Sequence, residues 1–246
     1  MGGDLLTLHM MVVSAAETVR DHWRAGSSLA SVPIEYSAGG TSEAHGILKK
    51  ADVDILVIDG ALAADERDSL IDASAAKTQA PLVAVLAGER MVPPAGASVT
   101  LANPSTTDEA CALVERCVRM RLPKRILLVD DSSTMRSIVR KILSACQFVL
   151  TVSEAESGIT ALDKVNDGCD LALIDCDMPE FDGFETLAEL RRIAPKTAVV
   201  MMTATDDQVL ADKAYAAGAF GFIKKPFYPA DIDAILVRMF DVPQAD

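Results

Sequence analysis

Residues 171–183 of the chain read LALIDCDMPEFDG. The run Leu171 to Ile174 is wholly apolar, Asp175 follows it, and a loop with Met178 and Pro179 leads to Gly183. A short apolar run bounded by turn residues is typical of a parallel strand that is covered on both faces. The stretch therefore predicts a strand, a loop and a helix, with an aspartate at the carboxyl end of the strand.

The rest of the second half alternates short apolar runs with longer amphipathic stretches, which is typical of β-α units around a parallel sheet. The predicted strands are Arg125 to Val129, Val149 to Val152, Leu171 to Ile174, Ala198 to Met202 and Phe220 to Ile223. The predicted helices cover about Thr134 to Ala145, Gly158 to Val165, Gly183 to Arg192, Asp206 to Ala217 and Pro229 to Phe240. This pattern predicts a doubly wound α/β domain.

The first half repeats the same rhythm. Its apolar runs and probable strands are Leu5 to Val13, Pro33 to Tyr36, Ile55 to Ile58, Leu82 to Leu86 and Ser98 to Leu101, and its last helix covers about Thr107 to Arg121. Setting Ile55–Asp59 against Leu171–Asp175, and Pro81–Leu86 against Ala198–Thr203, gives offsets of 116 and 117 residues. The chain is thus predicted to hold two copies of one domain, 1–122 and 123–246, joined by a short linker.

Composition excludes several classes of protein. The net charge is −13 and both halves are acidic, whereas nucleic-acid binding relies on clustered Lys and Arg. No apolar run approaches the ~18 residues of a membrane span, and Met1 to Asp4 lack the basic start of a secretory signal. The five cysteines are odd in number and form no Cys-x-x-Cys pair. We therefore expect a cytoplasmic protein with reduced thiols that binds neither nucleic acid nor membrane.

Polar residues come directly after the predicted strands of the second half. Ligands of open parallel sheets bind beyond these carboxyl ends of the strands. The polar residues are Asp130 and Asp131 after the first strand, Asp175 after the third, Thr203 after the fourth and Lys225 after the fifth. Three converging carboxylates repel one another unless a cation compensates, and an all-oxygen set suits Mg²⁺. A lysine and a hydroxyl that face a metal-bound carboxylate complete a set suited to phosphoryl transfer.

These motifs resemble the signature of response-regulator receivers of the CheY-like kind. The matching segments are Asp130-Asp131-Ser-Ser-Thr-Met-Arg, Asp175 to Gly183, Met202-Thr203-Ala204 and Lys225-Pro226-Phe227, and they cover Arg125 to about Phe240. The resemblance implies two tandem flavodoxin-like (βα)5 domains with the sheet order 2-1-3-4-5.

The resemblance also implies a role for each matching residue. Asp175 would accept a phosphoryl group from a phosphohistidine on a histidine kinase or phosphotransfer protein. Asp131 and Asp175 would bind Mg²⁺ directly, Asp130 mainly through water, and Asp177 through its backbone carbonyl. Lys225, Thr203 and the Ala204 amide would contact the phosphoryl oxygens, and Thr203 would move together with the switch aromatic Phe222. Asp177 and Thr205 match the positions that tune self-dephosphorylation.

The first half departs from this pattern at nearly every chemical position. Ser14-Ala15 replaces the acid pair, Leu86 is predicted at the threonine position, and Asn103-Pro104 replaces Lys-Pro. Asp59 occupies the acceptor position, but Gly60-Ala61-Leu62 follows it instead of a Met-Pro turn. The first half is therefore expected to be a degenerate pseudo-receiver that supplies a binding surface or a homodimer contact.

Three functions compete. The first is a response regulator without DNA-binding output, because only about 21 residues follow Lys225 (246 minus 225). It would act through protein–protein contact on an unknown target, or as a phosphorelay intermediate or phosphate sink. It would not be a conventional enzyme, although receivers phosphorylate and dephosphorylate themselves. The second is a haloacid-dehalogenase-like phosphatase, suggested by Asp175-Cys176-Asp177, but there the acid pair comes last in the chain. The third is a fragment of a longer regulator with an output enzyme such as a cyclase.

Overall fold

The computed structural model describes residues 7–87, 94–165, 168–179 and 182–241, without the side chains of residues 240 and 241. The chain divides into two compact units, Met1–Leu122 and Pro123–Asp246. The beginning of the predicted run at Leu5, part of the loop before Gly183, and the tail after Asp241 lie outside the described residues.

The first unit alternates strands and helices. Its described elements are β1 Leu8–Val13, α1 Glu17–Ser27, β2 Ile34–Gly39, α2 Thr41–Lys50, β3 Ile55–Asp59, α3 Ala64–Ala75, β4 Leu82–Leu86, β5 Val99–Leu101 and α4 Thr107–Arg121. Between β4 and β5 the described residues, 87 and 94–98, contain no helix.

The second unit repeats the alternation with five strands and five helices among its described residues. They are β6 Lys124–Val129, α5 Ser133–Ser144, β7 Leu150–Ala155, α6 Gly158–Val165, β8 Leu171–Asp175, α7 Gly183–Ile193, β9 Ala198–Thr203, α8 Gln208–Ala216, β10 Gly221–Lys224 and α9 Pro229–Asp241.

Both sheets are parallel and have the predicted order. The first sheet is ordered β2-β1-β3-β4-β5, and the second is ordered β7-β6-β8-β9-β10. In each sheet the strand order reverses beside the first strand, so the crevice above that point lies between the carboxyl ends of the first and third strands. The prediction of two tandem doubly wound domains is confirmed.

The central strands are buried on both faces. Every residue of β3, β4 and β8 is buried, which is why these segments are continuous apolar runs with no polar alternation. Burying one such Val, Leu or Ile side chain contributes about 1.5–3 kcal/mol relative to exposure. The core therefore holds the ends of these strands, and the aspartates that follow the apolar runs, in place.

Polar caps set where the helices of the second unit begin. The Ser132 hydroxyl accepts a hydrogen bond from the amide of Met135 at 3.3 Å, so α5 begins one residue earlier than predicted. The Asp207 carboxylate accepts bonds from the amides of Val209 and Leu210, at 2.9 and 3.4 Å. Because Asp207 caps α8, that helix begins at Gln208 and not at the predicted Asp206.

The register of the two sheets corrects the predicted alignment of the repeats. Leu82 pairs with Ile55 in the first sheet, and Ala198 pairs with Leu171 in the second. Both pairs give an offset of 116 residues (171 minus 55, and 198 minus 82), so the predicted offset of 117 for the fourth strand is wrong by one.

No helix among the described segments is long and apolar enough to cross a membrane. All five cysteines are described, and none is paired in a disulfide.

Candidate functional site

The second sheet brings the predicted acidic residues together at its carboxyl edge. Val129 and Ile174 are partners across β6 and β8, so the residues that follow them, Asp130 and Asp175, emerge side by side. Asp130 is 1% exposed and Asp175 is 9% exposed, while Asp131 faces solvent. The Asp130 and Asp175 carboxylates are thus buried, whereas the Asp131 carboxylate is exposed to solvent.

These carboxylates form a candidate metal centre. One carboxylate oxygen from each of Asp130, Asp131 and Asp175 lies within 4.8 Å of the others. Only oxygen ligands are offered, and the exposed position of Asp131 leaves room for water, as Mg²⁺ requires. The donor set therefore fits a magnesium ion.

Lys225 joins the two buried carboxylates. Its Nζ lies 2.8 Å from Asp130 Oδ2 and 2.9 Å from Asp175 Oδ2, and its side chain is only 11% exposed. Its backbone amide donates to the Thr203 carbonyl at 2.6 Å, which fixes the turn after β10 against the end of β9. The other oxygen of Asp130 accepts from the Ser132 amide at 2.9 Å. The lysine thus lies where it can also neutralise an added anion.

Burial controls the ionisation of the site. It raises the pKa of Asp175, with Lys225 opposing this and the Asp130 charge adding to it. Burial also disfavours the charged form of Lys225, but hydrogen bonds to Asp130 and Asp175 raise the pKa of the ammonium group above its usual range. One lysine serves two buried carboxylates, so it does not fully offset the desolvation of Asp175. Burial raises the pKa of the adjacent Cys176 thiol to about 12, so this thiol stays protonated at neutral pH.

Thr203 is buried at the end of β9, one residue beyond the partner of Asp175. Its hydroxyl lies 3.1 Å from the Thr205 hydroxyl and accepts a bond from the Thr205 amide at 3.2 Å. Ala204 is exposed beside it, and Phe222 is partly buried against the core. In this structure the Thr203 hydroxyl is therefore engaged with its own loop.

Gly183 explains why the loop after Asp175 must end in glycine. A Cβ at this position would lie 2.2 Å from the Asp175 carbonyl oxygen and 2.9 Å from Cys176 Cα. Real Cβ atoms do not approach backbone so closely, so α7 can begin here only without a side chain. The exposed Asp177 lies in this loop, with its amide 3.5 Å from Asp175 Oδ1.

Known proteins match the half of the chain that carries this centre. The sequence model of the response regulator receiver domain matches residues 126–237. Chemotaxis protein CheY of Bacillus subtilis (strain 168) is 39% identical over 104 residues, which cover 42% of this chain and 86% of that protein. The chain belongs to the response-regulator receiver family. Chemotaxis protein CheY of Halobacterium salinarum is 37% identical over 116 residues, covering 46% of this chain and 95% of that protein.

One solved structure is similar to the receiver protein along almost its whole length. A probable two-component system response regulator/GGDEF domain protein covers 95% of this chain and 98% of its own, with a TM-score of 0.56 and 19% identity. At this identity the likeness supports the fold of both units and nothing more.

Apart from Asp59, the first unit lacks the charged groups that lie at the strand ends of the second unit. Applying the 116-residue offset, Ser14 corresponds to Asp130, and Ala15 to Asp131. Leu86 pairs with Asp59 as Met202 pairs with Asp175, so Ala87, and not the predicted Leu86, is at the threonine position. The prediction failed because strands buried on both faces show no alternation that marks their register.

Asp59 itself is buried and hydrogen-bonded. The Ser14 hydroxyl donates to Asp59 Oδ2 at 2.5 Å, and the Ala61 amide donates to Asp59 Oδ1 at 2.9 Å. Asp59 is 4% exposed and Ser14 is fully buried. The acceptor-position carboxylate of the first unit therefore contacts a neutral hydroxyl where Asp175 contacts a lysine.

The sequence alone predicts no role for Arg136, the last residue of the motif that begins at Asp130. In the structure its guanidinium contacts the backbone carbonyls of Asp130 and Asp131. Its other partner, Glu154, is on β7, so this arrangement depends on a contact between separate elements that spacing in the sequence does not reveal.

Proposed function

We propose that the chain is a two-component response regulator in which Asp175 accepts a phosphoryl group from a phosphohistidine donor. The carboxylate attacks phosphorus, the bond from phosphorus to the donor nitrogen breaks, and an aspartyl phosphate forms. The observation that carries the proposal is the cluster of Asp130, Asp131 and Asp175 with Lys225 between its two buried members.

The surrounding residues have separate proposed roles. Asp130, Asp131, Asp175 and the Asp177 carbonyl would hold Mg²⁺, whose charge would offset that of the transferring phosphoryl group. Lys225 would pair with phosphoryl oxygens, and the Ala204 amide would donate to them. Thr203 would exchange its bond with Thr205 for one to the phosphoryl group, and Phe222 would respond to that movement.

We propose that the first unit takes no phosphoryl group. Asp59 has the uncharged Ser14 as its partner, and Ala15, Ala87 and Asn103 stand where the receiver has an acid, a threonine and a lysine. Nothing at these positions would neutralise a phosphoryl group. The unit would instead supply a binding surface or a homodimer contact.

The proposed partners are a histidine kinase or a histidine phosphotransfer protein as donor and a target protein downstream, all in the cytoplasm. Output would be protein–protein contact, or onward transfer of the phosphoryl group. The protein would act as a phosphoacceptor rather than a conventional enzyme.

The test is incubation with acetyl phosphate and MgCl₂, followed by intact mass measurement. We expect one phosphate per chain, lost in Asp175→Asn, retained in Asp59→Asn, and absent when EDTA removes the metal. Phosphate retained in Asp175→Asn would contradict the assignment of the acceptor. Loss in Asp59→Asn would contradict the proposal for the first unit. Turnover of p-nitrophenyl phosphate would instead support the phosphatase alternative.

A further inference from the structure

Arg136 donates hydrogen bonds to the backbone of Asp130 and Asp131, the two acidic residues that follow β6. It is the fourth residue of α5, and its side chain is only 15% exposed. One terminal nitrogen donates to the Asp130 carbonyl at 2.8 Å and to the Asp131 carbonyl at 3.3 Å. The guanidinium therefore bears directly on the position of these two residues without touching their carboxylates.

Glu154 holds Arg136 from the opposite side. The Arg136 Nε donates to Glu154 Oε2 at 3.1 Å, and the other carboxylate oxygen lies 3.5 Å from Arg140. Glu154 is the residue before last of β7, the strand next to β6. The guanidinium is thus held between β7 and the loop that follows the neighbouring strand, β6.

The first unit offers an internal comparison. Arg20 is the fourth residue of α1, and it donates to the Ser14 and Ala15 carbonyls at 2.6 and 3.2 Å. Both units therefore have an arginine that donates hydrogen bonds to the two backbone carbonyls after the first strand. Ala38 pairs with Val12 as Glu154 pairs with Leu128, so the first unit has no carboxylate at the position of Glu154. Only the unit with an acid pair has this carboxylate.

We infer that Glu154 and Arg136 are positioning residues for the divalent cation site, and this inference rests on the proposed function. A metal site needs its ligands held closely in place, and groups that orient the ligands affect metal affinity although they do not touch the metal. Glu154 fixes the orientation of Arg136 through its bond to Nε.

Charge and positioning make opposite predictions for Arg136. Removing a positive charge near the carboxylates should tighten Mg²⁺ binding if charge alone matters. Loss of positioning should weaken it. We expect Arg136→Met to weaken Mg²⁺ binding about tenfold, the lower end of the range for residues that orient metal ligands. Isothermal titration of the full chain with MgCl₂ gives the Kd, and Arg20→Met is the matched control that should leave it unchanged. Affinity that is equal or tighter in Arg136→Met would overturn the inference.

A second pair of variants tests Glu154 by itself. Glu154→Gln and the neighbouring Glu156→Gln remove the same charge, but Glu156 is exposed. We expect weaker Mg²⁺ binding only in Glu154→Gln, and no further loss when it is added to Arg136→Met, because the two residues act as one unit. Equal losses in both glutamine variants would show a charge effect and overturn the inference.

Two measurements keep the outcomes apart. The thermal midpoint of each variant, taken without Mg²⁺, separates a loss of folding from a loss of metal affinity. Arg136→Lys keeps the charge but lacks the Nε–H that meets Glu154, so it should restore only part of the affinity. Full restoration of Mg²⁺ affinity in Arg136→Lys would contradict a positioning role for the Arg136–Glu154 pair. If the wild-type chain bound no Mg²⁺, the proposed metal centre and this inference would both be overturned. If the wild type bound Mg²⁺ and the variants bound it with the same Kd, the inference alone would be overturned.

Discussion

At the scale of single residues, the ionised form of Asp175 is the one that the proposed phosphotransfer requires, and it is unfavourable for folding. The carboxylate is almost fully buried, it lies near Asp130, and the two share one lysine. Burial raises the pKa of Asp175 in the folded protein. The ionised form of Asp175, which the proposed phosphotransfer requires, therefore costs some stability of the folded protein, as is common at functional sites.

Replacing Asp175 by Asn should stabilise the Mg²⁺-free protein at neutral pH. Because its pKa is raised on folding, the folded protein binds this proton more tightly, and ionisation opposes folding as the pH rises above 3.8. The thermal midpoint of Asp175→Asn should exceed that of the wild type by a few degrees at neutral pH. The difference should vanish below the ordinary aspartate pKa of 3.8, where the carboxyl group is neutral in both states.

The exposed Asp177 provides a control for this stability measurement. Asp177→Asn removes the same charge from the same loop, but without a desolvation cost, and should shift the thermal midpoint less. A lower midpoint for Asp175→Asn than for the wild type at neutral pH, measured in EDTA, would contradict the assigned pKa shift.

At the scale of elements, the start of α7 determines where Asp175 lies. Gly183 packs against the Asp175 carbonyl, and Asp182 caps the helix by accepting bonds from the amides of Phe184 and Glu185, both at 2.8 Å. The helix start and the strand end are therefore in direct contact, and a change at one must displace the other.

Gly183→Ala should reduce both stability and phosphorylation. The added methyl group would overlap the backbone at Asp175 and Cys176, and overpacking of this kind costs about 1–3 kcal/mol. The matched control is Gly46→Ala in α2, where a Cβ meets nothing within 4 Å. Gly46→Ala should raise the free energy of unfolding by up to about 1 kcal/mol, because alanine is the better helix former. Thermal unfolding and acetyl phosphate labelling check both variants, and a fully labelled, stable Gly183→Ala chain would contradict the packing argument.

Most elements of the second unit could be predicted because their sequence signals are local. Apolar runs mark the strands, and the predicted bounds of α6 agree with the structure. The predicted bounds of a helix were wrong where a capping side chain outside the apolar pattern sets its first residue. Asp207 does so at the start of α8. The strand register of the first unit could not be predicted to the residue, because β4 is apolar throughout.

At the scale of the whole molecule, two copies of one sheet order carry different strand-end chemistry. The second unit holds three carboxylates and a lysine at its carboxyl edge, and the first holds a serine–aspartate pair. The order of strands therefore does not by itself determine the chemistry of a unit; the residues at the strand ends do.

Metal stoichiometry tests this difference between the two units. Calorimetric titration with MgCl₂ should give one ion per chain, because the described residues contain a single cluster of three acidic ligands. Asp130→Asn should weaken binding by about tenfold or more, since it removes a charged ligand. Asp59→Asn should leave both stoichiometry and Kd unchanged. Two ions per chain, one of them lost in Asp59→Asn, would contradict the proposal that the first unit is inert.

The residues of the candidate site could be predicted from sequence because parallel strands deliver their end residues to one edge. Asp130, Asp131 and Asp175 do lie together, and Lys225 contacts two of them. The support provided by Arg136 and Glu154 could not be predicted, because it joins α5 to β7 through side chains that face each other only after folding.

Locating the phosphoryl group on the wild-type chain is the direct test of Asp175 as the phosphoacceptor. After labelling with acetyl phosphate and MgCl₂, borohydride reduces an aspartyl phosphate to homoserine. Fragment-ion sequencing of all tryptic peptides, including 165–191 with Asp175 and 51–67 with Asp59, identifies the reduced residue. We expect homoserine at position 175 and unmodified aspartate at position 59. Homoserine at position 59, or at any acidic residue of the second unit other than Asp175, would contradict it.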